Sequence, residues 1–268
     1  MKIFFSVNLP ILAASLFLAG CSPDAPGKFQ GYVEGEYVYV ASPLGGALTN
    51  LAVARGDEVK SGQLLFVLER ESESSAVDQA AKNLAQAQAS FSRSQAEFDR
   101  RQQLRAGPGG VISAEELDQA RAQHDADAAQ VAAQQAALDK AKWSFDQKQQ
   151  FAPANAQVHD TLYRQGEWVA AGNPIVVLLP PENLKVRFFV PQAVLSKIKI
   201  GDTVNVIIDG ATKNYSATIN YISTQAEFTP PVIYNRENRA KLVFMIEAKF
   251  SPADAADIRP GQPVDVKL

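Results

Sequence analysis

The sequence predicts an elongated α+β protein in which an antiparallel coiled-coil hairpin interrupts a repeated β motif and a small β-barrel follows. The first observation is the repeat: "VARGDEVKSGQLL" at 53–65 returns as "YRQGEWVAAGNPI" at 163–175, displaced by 110 positions. The second is the segment between the two copies, where large residues recur at every seventh position. The third is the last part of the chain, where short strand patterns alternate with turns that contain Gly or Pro.

The composition excludes several classes of function. The chain has 268 residues, 46% of them hydrophobic, and a formal net charge of −3. No basic excess points to nucleic acid, so no nucleic-acid partner is expected. His124, His159 and a single cysteine provide too few ligands for a metal cluster, and neither a metal nor another cofactor is expected.

Residues 1–21 have the pattern of a secretory signal, in which Lys2 precedes a short apolar run that Pro10 interrupts. A membrane-spanning helix would need about 20 uninterrupted apolar residues. The run ends in "LAGC", which resembles the bacterial lipoprotein box, so Cys21 is the expected lipidation site and mature N-terminus. The alternative is an uncleaved anchor with an incidental cysteine. Either reading places the body of the protein outside the cytoplasm, beside a membrane.

Residues 22–39 are expected to form a Pro/Gly/Ser-rich tether followed by a first strand. The two copies of the β motif are assigned to residues 40–70 and 151–181. Each copy alone is too small to bury a core, so the two are expected to interlock in one sandwich.

Glycines mark equivalent turns in the two copies. Gly56 and Gly62 of the first copy correspond to Gly166 and Gly172 of the second. Because glycine adopts positive φ at little steric cost, all four are expected at turns that require it.

Residues 71–150 are predicted to form the helical hairpin, with the "GPGG" turn between its two arms. Each arm has about 33 residues and is therefore roughly 50 Å long. His124 lies at a seam position and is expected there as a tolerated residue, not as a metal ligand. The predicted seam consists of Val77, Leu84, Phe91, Phe98, Leu117, Val131, Leu138 and Phe145.

Residues 182–268 return to strand patterns, such as "LKVRFFV", "TVNVIID" and "PVDVKL", separated by turns such as "KIGD" and "RPGQ". Several short strands with regular turns predict a small β-barrel domain.

In this order the motifs resemble the HlyD-type membrane fusion proteins, the periplasmic adaptor subunits of bacterial export pumps. "PLGGALTNLAVARGDEVKSGQLLFVLE" is similar to the first half of the family's lipoyl-like sandwich, and "RFFVPQAVLSKIKIGDTVNVIIDG" to the start of its barrel. The resemblance implies a homo-oligomeric ring, with a hexamer as one size, between an inner-membrane transporter and an outer-membrane channel of the TolC kind. It implies a lipid-anchored protein in the periplasm of a Gram-negative bacterium, with no chemistry of its own. The segments "ISTQAEFTPP" and "NRAKLVFMIEAKF" are more similar to adaptors of ABC-type exporters, with an ATPase and a permease as partners.

The resemblance also assigns a role to the hairpin tip, where Arg100, Leu104 and Ser113 match the family's channel-docking pattern. The turn "RAGPGGV" is about two residues longer than that pattern. A structural alternative exists for two of these residues. Ser113 and Glu116 have the spacing of a capping box, and Arg100 can be an ordinary solvated charge.

Three functions other than that of an adaptor are alternatives for this sequence. A biotinyl or lipoyl carrier would present a lysine where "GQLLFVLE" ends, but the next lysine is Lys82, inside the hairpin. A hydrolase is disfavoured because the chain lacks a G-x-S-x-G motif. A scaffold lipoprotein that works without a transporter remains compatible with the sequence.

Overall fold

The computed structural model describes residues 27–107, 109–211, 213–228, 242–255 and 257–268. The signal segment with Cys21 and the first part of the expected tether lie outside the described residues. Of the helices in the described part, none is both long and apolar enough to cross a membrane.

The elements alternate along the chain in the predicted order. Strands β1 to β5 precede the two long helices, β6 to β9 follow them, and β10 to β14 complete the chain with two short helices among them. The strands are β1 Lys28–Gly35, β2 Val38–Ala41, β3 Gly46–Leu51, β4 Glu58–Val59, β5 Leu64–Leu68, β6 Gln149–Phe151, β7 Ala156–Thr161, β8 Trp168–Val169, β9 Pro174–Leu179, β10 Leu184–Pro191, β11 Thr203–Ile208, β12 Tyr215–Phe228, β13 Leu242–Phe250 and β14 Pro263–Lys267. The helices are α1 Glu71–Ala106, α2 Ala114–Asp146, α3 Gln192–Leu195 and α4 Pro252–Ala255.

The two copies of the β motif form one sandwich of two four-stranded sheets. One sheet has the order β2-β9-β7-β4 and the other β6-β5-β3-β8, so each sheet contains strands from both copies. The core is apolar and receives side chains from both copies. Its buried members are Val40, Leu48, Val53, Val59, Leu65, Phe66, Leu68, Ala152, Ala156, Val158, Val169, Ile175, Val176 and Leu178. The interlocked sandwich that the repeat predicts is therefore confirmed.

Helices α1 and α2 form the inserted hairpin, with 36 and 33 residues. At 1.5 Å per residue each arm is roughly 50 Å long. Helix α1 ends before Gly107, and the turn places Gly109 and Gly110 at φ values of 92° and 47°.

Six strands close a barrel in the order β1-β10-β13-β12-β11-β14. Its strand β1 corrects the expected role of residues 22–39. It is not a strand that leads into the sandwich but the first strand of the barrel, where Phe29 pairs with Val266 of β14. Gly31 allows close contact with β10, because a Cβ there would lie 2.7 Å from the Cβ of Phe188. Alternation of side chains predicted the strand, but nothing local to it identifies a partner more than 200 residues away.

The contact pattern divides the chain into two compact units whose boundaries differ from those expected. Of the described residues, those within Met1–Tyr32, Val186–Ala248 and Gly261–Leu268 belong to one unit, and those within Val33–Lys185 and Lys249–Pro260 belong to the other. Residues 249–260, expected in the barrel domain, thus group with the sandwich and the hairpin.

Candidate functional site

The sandwich has an approximate internal twofold symmetry, which appears in its hydrogen bonds. Gly56 N donates to Val158 O at 2.8 Å, and Gly166 N donates to Leu48 O at 2.8 Å. Exchanging the two copies, whose equivalent residues are 110 positions apart, converts the first bond into the second. The two copies therefore fold as equivalent halves, and each closes a turn on a strand of the other.

The four turn glycines form two equivalent pairs, and the two members of each pair have nearly the same φ value. Gly56 and Gly166 have φ values of 95° and 93°, and Gly62 and Gly172 have values of 81° and 79°. In each copy the first of its two glycines is followed by a carboxylate that accepts from the backbone: Asp57 Oδ2 from Ala54 N and Glu167 Oε2 from Arg164 N, both at 2.8 Å. These glycines serve the turns and offer no side chain to a ligand.

A buried lysine joins the base of the hairpin to the first copy. The side chain of Lys148 is 6% exposed, and its Nζ lies 3.0 Å from Glu73 Oε1 in the first turn of α1. The same Nζ donates to the carbonyl oxygen of Gly45 at 2.8 Å. Gly46 leaves room for this ammonium group, since a Cβ there would lie 3.2 Å from Nζ. Lys148, which follows the end of α2, thereby connects the start of α1 to the loop before β3.

Further contacts at the base use polar and aromatic groups. The buried hydroxyl of Ser42 donates to Gln147 O at 2.8 Å. The guanidinium of Arg70 lies 4.5 Å from the centroid of the Phe145 ring, and its Nη1 donates to Gln149 Oε1 at 3.0 Å. Lys148 and these contacts, here called the base clamp (Ser42, Gly45, Arg70, Glu73, Phe145, Gln147, Lys148 and Gln149), were not predicted. The one signal was the pair Gly45–Gly46 before a strand.

The predicted seam lies along the facing sides of α1 and α2. Leu84 and Leu138 are buried, at 8% and 6% exposure. The other six predicted positions are partly buried: Val77, Phe91, Phe98, Leu117, Val131 and Phe145. Small or polar residues, among them Ala87, Ser94 and Ala120, fill the alternate positions and are buried too. A two-helix hairpin covers only one narrow stripe on each helix, which is why most seam residues keep some exposure.

His124 forms a polar layer in the outer half of the hairpin. Its ring centroid lies 5.1 Å from that of Phe91 and 5.5 Å from that of Phe98. Its Nε2 lies 2.6 Å from Gln95 Oε1 and its Nδ1 lies 2.8 Å from Asp125 Oδ1. Within the described ranges no group of three His, Cys, Asp or Glu side chains is placed to hold a metal ion.

Helix α2 begins with a capping box at the hairpin tip. Ser113 Oγ accepts from Glu116 N at 3.1 Å, and Ser113 N donates to Glu116 Oε2 at 2.9 Å. The hydrogen bond from the Ser113 backbone N–H, then that from its hydroxyl, lowers the pKa of Glu116 below its ordinary 4.5. The structural role expected for Ser113 is therefore present.

The tip also exposes two apolar side chains between arginines. Leu104 is 46% and Val111 is 74% exposed. Arg100 is 67% exposed and lies 3.4 Å from Glu97, whereas Arg105 donates to Ile112 O at 3.1 Å and braces the turn. Arg100, Leu104 and Ser113 thus lie at the same end of the hairpin. Val111, which was not predicted, adds apolar area there.

The hairpin matches a known family of domains. Residues 76–148 match the family model described as "RND MFP, alpha-helical hairpin domain". A UPF0194 membrane protein of Citrobacter koseri is 28% identical over 285 aligned positions, which span 87% of this chain and 86% of that protein.

Solved structures share the fold. The membrane fusion protein Spr0693 of Streptococcus pneumoniae has a TM-score of 0.66 at 19% identity, over 90% of this chain and 97% of that one. MacA of Actinobacillus actinomycetemcomitans has a TM-score of 0.60 at 17% identity, over 91% of this chain and 80% of that one. Residues 76–148 are therefore similar to the hairpin domain of membrane fusion proteins, and the chain shares its fold with the solved structures of Spr0693 and MacA.

Proposed function

We propose that the chain is the periplasmic adaptor subunit of a tripartite export system, linking an inner-membrane transporter to an outer-membrane channel of the TolC kind. The observation that carries the proposal is the base clamp: the sandwich holds both ends of the hairpin. Lys148 contacts α1 through Glu73 and the first copy through Gly45. Because both helices are fixed to the sandwich at the base of the hairpin, a displacement of the sandwich can be transmitted to the free tip.

The tip is the proposed contact with the channel. Leu104 and Val111 supply exposed apolar area, and Arg100 supplies a charge that a partner's carboxylate can pair. Ser113 starts α2, and its hydroxyl lies at the surface next to Glu116. Interfaces typically combine an apolar centre with Arg at hot spots, as this end of the hairpin does.

The proposed transporter is of the ABC type, with a permease and an ATPase. Support comes from the segments at 222–231 and 238–250, which are similar to those of ABC-associated adaptors. Both extend beyond the described residues. The chain would form a homo-oligomeric ring, with six protomers as the proposed number, and the exported substrate would pass through it. Coupling would be conformational, since the energy-yielding step belongs to the transporter.

Cys21 is the proposed membrane anchor. One acyl chain gives only marginal membrane binding, whereas the several chains of a mature lipoprotein hold firmly. The anchor would lie in the inner membrane, with the outer membrane as the alternative, and the body in the periplasm of a Gram-negative bacterium. Cys21→Ser should abolish labelling with a palmitate analogue and release the chain from the membrane fraction. Persistent labelling would contradict this assignment.

Affinity capture from the native envelope tests the function. The tagged full-length chain, extracted in mild detergent, should recover an inner-membrane permease with its ATPase and an outer-membrane channel. A Leu104→Asp variant, altered only at the exposed tip, should keep the permease and lose the channel. Recovery of outer-membrane or cell-wall proteins without any transporter would instead support an envelope scaffold. A biotinyl or lipoyl mass on any lysine of the mature chain would support a carrier.

A further inference from the structure

The two halves of the sandwich differ sharply at one pair of equivalent positions. Glu58 opens β4, and Trp168, 110 positions later, opens β8. Each strand lies at the edge of its sheet, and each residue pairs across to an equivalent neighbour, Glu58 with Gln157 and Trp168 with Ala47. The local symmetry is thus kept in the backbone and broken in the side chains.

Trp168 is the most exposed tryptophan of the chain. It is 72% exposed, although an indole ring is among the side chains that gain most from burial. It is flanked on the same turn by the exposed charges Arg164 and Glu167. A large aromatic side chain with a charged rim is the usual composition of a hot spot in an interface.

The equivalent edge, at β4, borders a cleft instead. The cleft has a volume of about 460 Å³, more than enough for an indole ring, and the unit that contains the sandwich provides all of its walls. Its apolar floor consists of buried side chains that include Val59, Leu179, Ala255 and Ile258. Glu58, Lys60 and Arg259 line it with charges of both signs.

We infer that Trp168 of one protomer inserts into the β4 cleft of a second copy of this chain, head to tail. Strands β4 and β8 lie at the edges of different sheets, and Trp168 is not among the residues that line the cleft of its own chain, so the occupant is inferred to come from another copy. A contact between two different surfaces of identical chains repeats around a ring when its rotation closes. The charges are complementary, because Glu167 can pair with Lys60 or Arg259 and Arg164 with Glu58. The inference rests on the ring of the proposed function and names the contact that would build it.

Paired cysteines test the contact in the full-length chain in detergent. Oxidation of a Lys60→Cys, Glu167→Cys double variant, which keeps Trp168, should give a ladder of covalent oligomers that ends at the ring size. Each single variant should give no more product than the unsubstituted chain, which carries Cys21 alone. A mixture of the two single variants should stop at dimers, because each chain then has one reactive edge.

Self-association provides the second measurement. Trp168→Ala should weaken it at least about tenfold, as expected for a central aromatic residue of an interface. Trp143→Ala is the matched control, because Trp143 is also exposed, at 52%, but lies on α2. In a Trp143→Phe background, Trp168 is the only tryptophan, and its emission should shift to shorter wavelength on assembly.

Two results would overturn the inference and leave the adaptor proposal standing. One is covalent dimers from Glu167→Cys alone, which would show a symmetric contact. The other is a ring that forms equally well from Trp168→Ala. A chain that stays monomeric while bound to its transporter would overturn both this contact and the proposed ring.

Discussion

The base and the tip of the hairpin differ in how they are held. At the base, Lys148 is 6% exposed and contacts two separate parts of the chain, and Ser42 is buried against Gln147. At the tip, the stabilising contacts are local and exposed, such as the capping box of Ser113 and Glu116. The exposed apolar side chains Leu104 and Val111 have no such role in folding. The comparison teaches that stability is concentrated where the arm is anchored and is low where a partner is proposed to bind.

The largest loss of stability is expected from Lys148→Met. Removing one partner of a buried ion pair lowers the free energy of unfolding by about 3–5 kcal/mol, because the charge of the other partner is left uncompensated. Among the described residues, Glu73 Oε2 is buried without a hydrogen-bond partner, so this carboxylate depends strongly on Lys148. Urea denaturation followed by helix circular dichroism measures the loss. Adding Glu73→Leu should recover at least half of it, and no recovery would show that the ion pair is not its source.

A smaller but still large effect is expected from Phe91→Asp at the seam. Truncating a fully buried Phe costs about 3–5 kcal/mol, and Phe91 is only partly buried, so roughly 2–4 kcal/mol is expected. The variant should splay the outer half of the hairpin and abolish export, while the chain is still secreted and lipidated. Phe91→Leu, which keeps the apolar contact, should retain export. Full export by Phe91→Asp would show that an intact hairpin is not required.

At the start of α2, Ser113→Ala should cost about 1 kcal/mol locally. Amide exchange in the first turn of α2 should become roughly fivefold faster at neutral pH, while exchange at the base stays unchanged. Because the pKa of Glu116 is lowered in the folded state, its stabilising contribution is present at neutral pH. That contribution is lost as the pH falls through the lowered pKa, so the difference between variant and parent should shrink in acid. A difference that grows in acid would contradict the capping box.

The smallest effect on folding is expected from Leu104→Ala and Val111→Ser at the tip. Both side chains are exposed, so the free energy of unfolding should change by no more than about 0.5 kcal/mol. Capture of the outer-membrane channel should nevertheless fall. Arg93→Ala, at an exposed position within α1, provides the control. Loss of capture by the control alone would place the contact away from the tip.

The sequence predicted those parts of the fold that an internal repeat or a fixed short spacing marks. The repeat at 110 positions predicted the sandwich because equivalent glycines require equivalent turns, and the heptads predicted the hairpin. Ser113 and Glu116 predicted their own hydrogen bonds because they are three residues apart. The last two signals act within one helix or one turn, whereas the repeat marks two distant segments as equivalent.

The parts that the sequence did not reveal depend on residues far apart in the chain. Strand β1 belongs to the barrel through β14, and Lys148 meets Gly45 across about 100 positions. A lysine that ends a helix is usually solvated, so nothing local marks Lys148 as buried. Trp168 at the start of β8 and Glu58 at the start of β4 are both compatible with a strand, so the local sequence does not mark either as part of an interface. The difference can be interpreted from the cleft beside β4, which Ala255 and residues 258–260 help to build.

The most direct measurement is photo-crosslinking from the hairpin in living cells. A photoreactive amino acid at position 104 or 111 should crosslink to an outer-membrane channel. The same group at Trp143, near the clamped base, should not. Crosslinks to the channel from position 143 but not from the tip, or crosslinks to no envelope protein from either end, would contradict an arm anchored at its base that binds through its tip.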